Sequence, residues 1–135
     1  MATPTARSLA LLRRVGYLAA VVESWIPRIH RRRDLFGFAD VLAVHPVRRE
    51  VMLVQVTTAR HLADRLAKVW AAPELPGLLA GGCKVQLHGW TRQGKRWRVK
   101  LVDVGPEDLG PAVTAPLRRR RRRTGDRQEL LPGFG

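Results

Sequence analysis

Asp40 is the residue of this chain whose setting most needs a chemical explanation. It stands inside the apolar run Phe36 to Val44, within the stretch Asp34 to Thr58. An ionised carboxylate among Phe38, Val41 and Leu42 is costly unless it is paired, hydrogen-bonded or bound to a metal, so Asp40 is a candidate site. Strand-borne acids of this kind are where divalent metals are held. Two further acids lie close in sequence. Asp34 opens the same stretch, and Glu23 sits inside a run with the composition of a strand. Residues 28 to 33, RIHRRR, come just before Asp34 and put phosphate-attracting groups beside the candidate metal position, or form an arginine-rich solvated loop.

The elements that must position these groups are readable in outline. A turn around Pro46 to Glu50 joins Phe36 to Val44 to a second apolar run, Val51 to Val56, and the pair reads as a β-hairpin buried on at least one face. Upstream, Thr3 or Thr5 caps a helix that Pro4 helps start, with Leu9, Leu12 and Val15 as its apolar stripe. Gly16 stops it, and Arg7, Arg13 and Arg14 form its basic back. Tyr17 to Ile26 then reads as one strand ended by Pro27, and on its pleat Glu23 shares a face with Val21 and Trp25.

Downstream of the hairpin, Thr57 or Thr58 caps a second helix running to about Ala72. Leu62, Leu66, Val69 and Trp70 face inward, Arg60, Asp64, Arg65 and Lys68 face away, and Asp64 with Lys68 makes a favourable i,i+4 pair. Pro73 and Pro76-Gly77 end it. Leu75 to Ala80 is a short helical turn, Lys84 to His88 alternates as a half-buried strand, and Gln93-Gly94-Lys95 is a turn. In the last strand Trp97, Val99 and Leu101 give a dry face, while Arg96, Arg98 and Lys100 give a basic one.

Composition sets the class of partner. The chain has 135 residues, enough for one core, and carries 25 Lys plus Arg against 11 Asp plus Glu, a net charge of +14. Such an excess points to a polyanion, most simply nucleic acid, or to a solubilising or ribosome-adhering surface. Residues 118 to 135 contribute seven Arg and two acids, so the body is basic as well. No apolar run reaches about 18 residues, which excludes a membrane span, and the N-terminus reads as mature sequence. The single cysteine, Cys83, leaves no internal disulfide and no cysteine-based zinc site, in keeping with a cytoplasmic protein. His30, His45, His61 and His88 lie on four different elements without metal spacing.

Three segments follow. Residues 1 to 104 form the domain, 105 to 117 a Pro/Gly-bearing linker, and 118 to 135 an Arg-rich tail. The run Arg118, Arg119, Arg120, Arg121, Arg122 and Arg123 cannot pack and reads as a disordered phosphate-binding arm. Gln128, Leu131 and Phe134 stand at the spacing of a sliding-clamp-binding peptide.

The order helix, strand, strand, strand, helix, strand, with one extra strand, resembles the PD-(D/E)XK nuclease superfamily, above all its small Holliday junction resolvase-like and phage-type members. The likeness covers about residues 4 to 104. It rests on Gly16-Tyr17 opening the first strand, Asp40-Val41-Leu42-Ala43 on the second and Leu53-Val54-Gln55-Val56-Thr57 on the third. It implies an α/β fold with a restriction-endonuclease-like αβββαβ core and a mixed central sheet flanked by helices. Implied too are Mg²⁺, with Mn²⁺ as a substitute, DNA as substrate, a homodimer as one oligomeric form, and a nucleoid-associated or phage-infected host cytoplasm as location.

In such enzymes two strand-borne acids and a backbone carbonyl hold the metal, and a lysine two residues after the second acid orients the attacking water. Residues i and i+2 share a strand face, so Gln55 and Thr57 stand together beside Asp40. Asp40 matches the first acid. Gln55 replaces the second, Val56 offers the carbonyl, and Thr57 stands where lysine is usual. Asp34 and Glu23 are candidate further ligands, and Lys68 is a candidate migrated lysine. Arg28, Arg31, Arg32, Arg33, Arg96, Arg98, Lys100 and the tail arginines are the candidate nucleic-acid contacts. The resulting expectation is a Mg²⁺-dependent endonuclease. Two alternatives stand beside it: a nuclease-like DNA-binding module whose site has decayed, and a basic RNA- or ribosome-associated protein.

Overall fold

A computed structural model describes residues 2 to 29 and 31 to 109, without the side chains of Ser24, Arg31, Arg32, Asp108 and Leu109. The arginine run 118 to 123, the Gln128, Leu131 and Phe134 motif, His30 and the linker beyond Leu109 lie outside the described residues.

Helix α1 (Pro4–Arg14) begins where Thr3 Oγ1 accepts the Ala6 N–H at 3.1 Å, and Pro4 occupies the first turn, where its missing donor costs nothing. Gly16 then reverses the chain at φ 103, with an added Cβ only 2.7 Å from His45 Nε2, so backbone and neighbour both require glycine. The strands are β1 (Leu18–Val21), β2 (Ser24–Ile26), β3 (Arg31–Arg33), β4 (Val41–His45), β5 (Glu50–Thr58), β6 (Lys84–Gln93) and β7 (Arg96–Val104). Two helices, α2 (Leu62–Ala71) and α3 (Leu75–Ala80), connect β5 to β6.

Five strands form one mixed sheet in the order β1-β4-β5-β6-β7. The first three are antiparallel neighbours, β5 and β6 are parallel through the helical crossover, and β7 returns antiparallel as an edge. Helices cover both faces, and this explains why β5 reads as a nearly continuous apolar run. On one side Leu12 of α1 packs with Tyr17, Val41, Ala43, Met52, Val54, Val56 and Trp90. On the other, Leu62 and Val69 of α2 and Leu75 of α3 pack with Phe38, Leu53, Val85, Leu87 and Val104.

The α1 interface also buries a polar chain whose proton positions follow from its ends. Gln86 donates through Nε2 to Asp103 Oδ1 at 2.9 Å, so its Oε1 accepts from His88 Nε2–H at 2.7 Å. His88 Nδ1 accepts the Ser8 hydroxyl at 2.7 Å, and Ser8 Oγ accepts the Trp90 indole N–H at 2.9 Å. Burial holds the fully enclosed His88 neutral, its pKa lowered to about 4 although Asp103 pulls it upward.

Several local expectations are corrected. Tyr17 to Ile26 is not one strand. The chain leaves the sheet after Val21, and β2 pairs with β3 in a separate two-stranded ribbon, so Arg31 to Arg33 are strand rather than loop and Glu23 lies in the break, off the pleat. Phe36 to Phe38 is turn, because Phe36 (φ 56) and Gly37 (φ 79) take left-handed conformations; Ala39 makes an isolated bridge with Leu35, and β4 starts at Val41.

Thr58 ends β5 without a side-chain capping bond, and a 3₁₀ turn, Ala59–His61, precedes α2. Trp70 is 48% exposed, since it lies about 80° around the helix from Leu62, at the margin of the stripe. Val15 lies beyond the last turn of α1 and is likewise half exposed, and the buried positions of that helix are Ser8 and Leu12. Arg7 is not on the open back of α1, because its guanidinium stacks over the Trp97 ring at 4.4 Å. Strand β6 runs on past His88 to Gln93. Leu101 is half exposed, on an edge strand with a neighbour on one side only. The start of the linker forms a 3₁₀ turn, Pro106–Leu109.

Candidate metal centre

Three chain segments bring three carboxylates to one end of the sheet. Val22 N–H still bonds the Asp40 carbonyl at 2.9 Å, which holds the end of β1 against the start of β4 and delivers Glu23 as the next residue. Between Asp34 and Asp40 the chain folds tightly back on itself. Gly37 N–H bonds Asp34 O at 3.1 Å, and Leu35 and Ala39 exchange bonds of 3.0 and 2.9 Å while Phe38 plugs the core. That loop returns Asp34 to Asp40, and one carboxylate oxygen each of Glu23, Asp34 and Asp40 lies within 4.8 Å of the others.

Asp40 is the buried member. Its amide donates to Val54 O at 2.8 Å, and its Oδ2 accepts the Val56 N–H at 2.8 Å and the Gln55 side-chain amide at 2.7 Å. Burial, with Asp34 and Glu23 close by, pushes the Asp40 carboxyl up to about 7 against the opposing pull of the Val56 N–H. Lys68, reaching from α2, places its ammonium 3.3 Å from Asp34 Oδ2, so its ion pair there takes the place of the expected helix-surface role with Asp64.

Gln55 is 2% exposed, and its amide nitrogen is doubly engaged, with Asp40 and with Val56 O at 3.3 Å. Its Oε1 is buried without a hydrogen-bond partner among the described residues. An unmet buried carbonyl costs about 1 to 3 kcal/mol, and beside three carboxylates the cost is relieved by a cation or a donor. The donors present are all hard oxygens, and they suit Mg²⁺ or Mn²⁺ rather than a soft metal. The residues fit the group.

Asp40, Gln55, Asp34, Glu23 and Lys68, scattered in sequence, are thus brought together. Thr57 is buried on the same face of β5, two residues beyond Gln55. Val56 touches the site through its backbone, its N–H on Asp40 and its C=O on Gln55, while its side chain packs toward α1. Arg28, Arg33, Arg96, Arg98 and Lys100 are exposed. Sequence reasoning missed the β2–β3 ribbon and the loop that carries Asp34 to Asp40. Phe36-Gly37 was the available signal for that loop, since a left-handed glycine inside an apolar run interrupts a strand. Comparison of the chain with protein-family models, curated proteins and solved structures returned no match.

Proposed function

We propose that this chain is a Mg²⁺-dependent endonuclease hydrolysing DNA phosphodiester bonds, on the plan of the PD-(D/E)XK nucleases that its element order resembles. The observation that carries the reading is the convergence of Glu23, Asp34 and Asp40 within 4.8 Å, beside a buried Gln55 Oε1 that has no hydrogen-bond partner among the described residues. The three antiparallel strands, helical crossover and parallel fourth strand agree with a restriction-endonuclease-like core, into which β2 and β3 are inserted.

Asp40, Asp34, Glu23 and Gln55 Oε1 would hold the cation. When bound, Mg²⁺ supplies Lewis-acid stabilisation of charge on the phosphate oxygens and makes a water more acidic. The chain's own residues do the positioning. Val56 N–H and the Gln55 amide fix Asp40 Oδ2, so the carboxylate enters the site in one orientation. Near neutral pH Asp40 is partly protonated, and metal binding requires that proton to leave. Lys68 offsets charge on Asp34 and supplies near the site the cation that Thr57 lacks. The exposed arginines bind the phosphate backbone without reading bases.

The test is cleavage of labelled branched, duplex and single-stranded DNA in Mg²⁺, Mn²⁺ or EDTA by wild type and Asp40→Asn. Metal-dependent cleavage that the variant loses is the expected result. A second reading, a DNA-binding module with a decayed site, is favoured by the neutral Gln55 donating to Asp40 where a second acid is usual. Tight binding without cleavage in any metal would select it. An RNA- or ribosome-associated role rests on the basic charge alone, and preference for RNA in the same assay would support it.

A further inference from the structure

Two basic β-ribbons rise at the end of the sheet that holds the acid cluster, one at each side. Strands β5 and β6 run in parallel toward this end, but their pairing stops at Thr58 with Trp90. Beyond it Thr91 to Gln93 pair with Arg96 to Arg98 as a two-stranded extension closed at Gly94, φ 63. At the opposite margin β1 runs to the same end, because β1 and β5 are both antiparallel to β4, and the chain leaves it as the β2–β3 ribbon. The root of that ribbon, Ser24 paired with Arg33, is flanked by Glu23 and Asp34 of the acid cluster.

The charge is one-sided. Residues 24 to 33 carry four arginines and no acid, and residues 91 to 100 carry Arg92, Lys95, Arg96, Arg98 and Lys100 and no acid. Pleat parity aligns the second group with the site. Arg96, Arg98 and Lys100 alternate in step with Val102 and Val104, which pack on the α2 side, the side of Leu53 and hence of Gln55. Lys100 pairs with Gly89, which pairs with Thr57, so Lys100 stands in the row next to that of Gln55. Arg60 and His61, exposed on the turn after β5, lie between the two margins.

We infer that this end of the molecule is a cradle for double-stranded nucleic acid, in which the two ribbons hold phosphates of opposite strands across the acid cluster. The inference rests on reading that cluster as a phosphodiester site. Four strand spacings of about 4.8 Å separate the β1 margin from β7, about 19 Å in all. Arg96, Arg98 and Lys100 stand on the α2 face of one margin and Arg28 and Arg33 are exposed at the other, a span into which the width of a duplex major groove, about 12 Å, fits. A single strand follows one cationic groove and has no use for two opposed ribbons.

Binding is measured on the full chain in EDTA, where no cleavage occurs, with a labelled duplex and with one of its strands alone, over a range of salt. The variants are Arg96→Gln/Arg98→Gln/Lys100→Gln on one ribbon and Arg28→Gln/Arg33→Gln on the other. Arg14→Gln/Arg49→Gln, at the opposite end of the sheet, controls for net charge. Each ribbon variant should weaken duplex binding and flatten the log–log salt slope by up to about 0.9 per lost cation, with a smaller change for the single strand and none in the control. Ribbon variants that bind like the control, or that lose duplex and single strand equally, would overturn the cradle. Absence of cleavage by the wild type in Mg²⁺ or Mn²⁺, with ribbon-dependent duplex binding intact, would instead count against the nuclease and leave the cradle standing.

Discussion

Replacing Asp40 by Asn should stabilise the metal-free protein at high pH while removing its response to Mg²⁺. Asp40 is 8% exposed, and its carboxyl is raised from 3.8 to about 7, a penalty on the ionised folded form on the order of 4 kcal/mol. The folded state keeps this proton up to about pH 7 and the unfolded state only up to about pH 4. The stability the group lends is therefore complete below about pH 4 and is lost as the pH rises through about 7. Asparagine cannot ionise. Its Oδ1 still accepts the Val56 N–H, and its amide can donate to Asp34 or to Gln55 Oε1. The stability of the variant relative to wild type should thus grow by about 2 to 3 kcal/mol from about pH 5 to about pH 8, on the order of 10 °C in midpoint. Taking the difference between the two proteins cancels the titrations remote from Asp40, His88 included.

Thermal unfolding followed by circular dichroism in EDTA measures this, and a repeat in Mg²⁺ tests the site. At free Mg²⁺ about tenfold above its dissociation constant, wild type should gain about 1.4 kcal/mol and the variant nothing. A difference that does not change with pH, or an Asn variant less stable than wild type at about pH 8, would refute the reasoning about Asp40.

Acid should weaken the fold through His88, whose folded pKa of about 4 lies below its ordinary 6.5. The loss develops as pH falls from about 6.5 to about 4, reaches about 3 kcal/mol, and should flatten in His88→Gln when midpoints are followed across that window. Ser8→Ala leaves His88 Nδ1 and the Trp90 N–H without their partner and should cost about 1 to 3 kcal/mol in urea unfolding at neutral pH. Gly16→Ala forces a Cβ against His45 Nε2 at φ 103 and should cost about 2 kcal/mol or more in the same assay. Lys68→Ala removes a half-exposed ion pair, so stability should change by less than about 1 kcal/mol, whereas cleavage should fall clearly while Mg²⁺ affinity does not.

The split between what could be read in the chain and what could not follows the range of the interactions. Local signals sufficed for α1, opened by Thr3 and Pro4 and stopped by Gly16, for the β4–β5 hairpin around Pro46 to Glu50, and for the β6–β7 turn at Gly94. Each rests on residues a few positions apart. Asp40 was identifiable as a candidate site because an acid inside an apolar run is expensive wherever the run is buried. Its partners were a different matter.

Glu23 and Asp34 reach Asp40 only because β1 stops at Val21 and the chain detours through the β2–β3 ribbon, and nothing in Val22-Glu23-Ser24 marks that break. The role of Lys68 depends on which turn of α2 crosses the sheet near Asp34. The enclosure of His88 depends on α1 lying over β6, eighty residues away in sequence. Composition, periodicity and turn chemistry act within a few residues, so the sequence by itself determined the helices, the β4–β5 and β6–β7 hairpins and the costly carboxylate at Asp40. Strand order and packing act across the whole chain, so the tertiary structure alone decided which acids converge on Asp40.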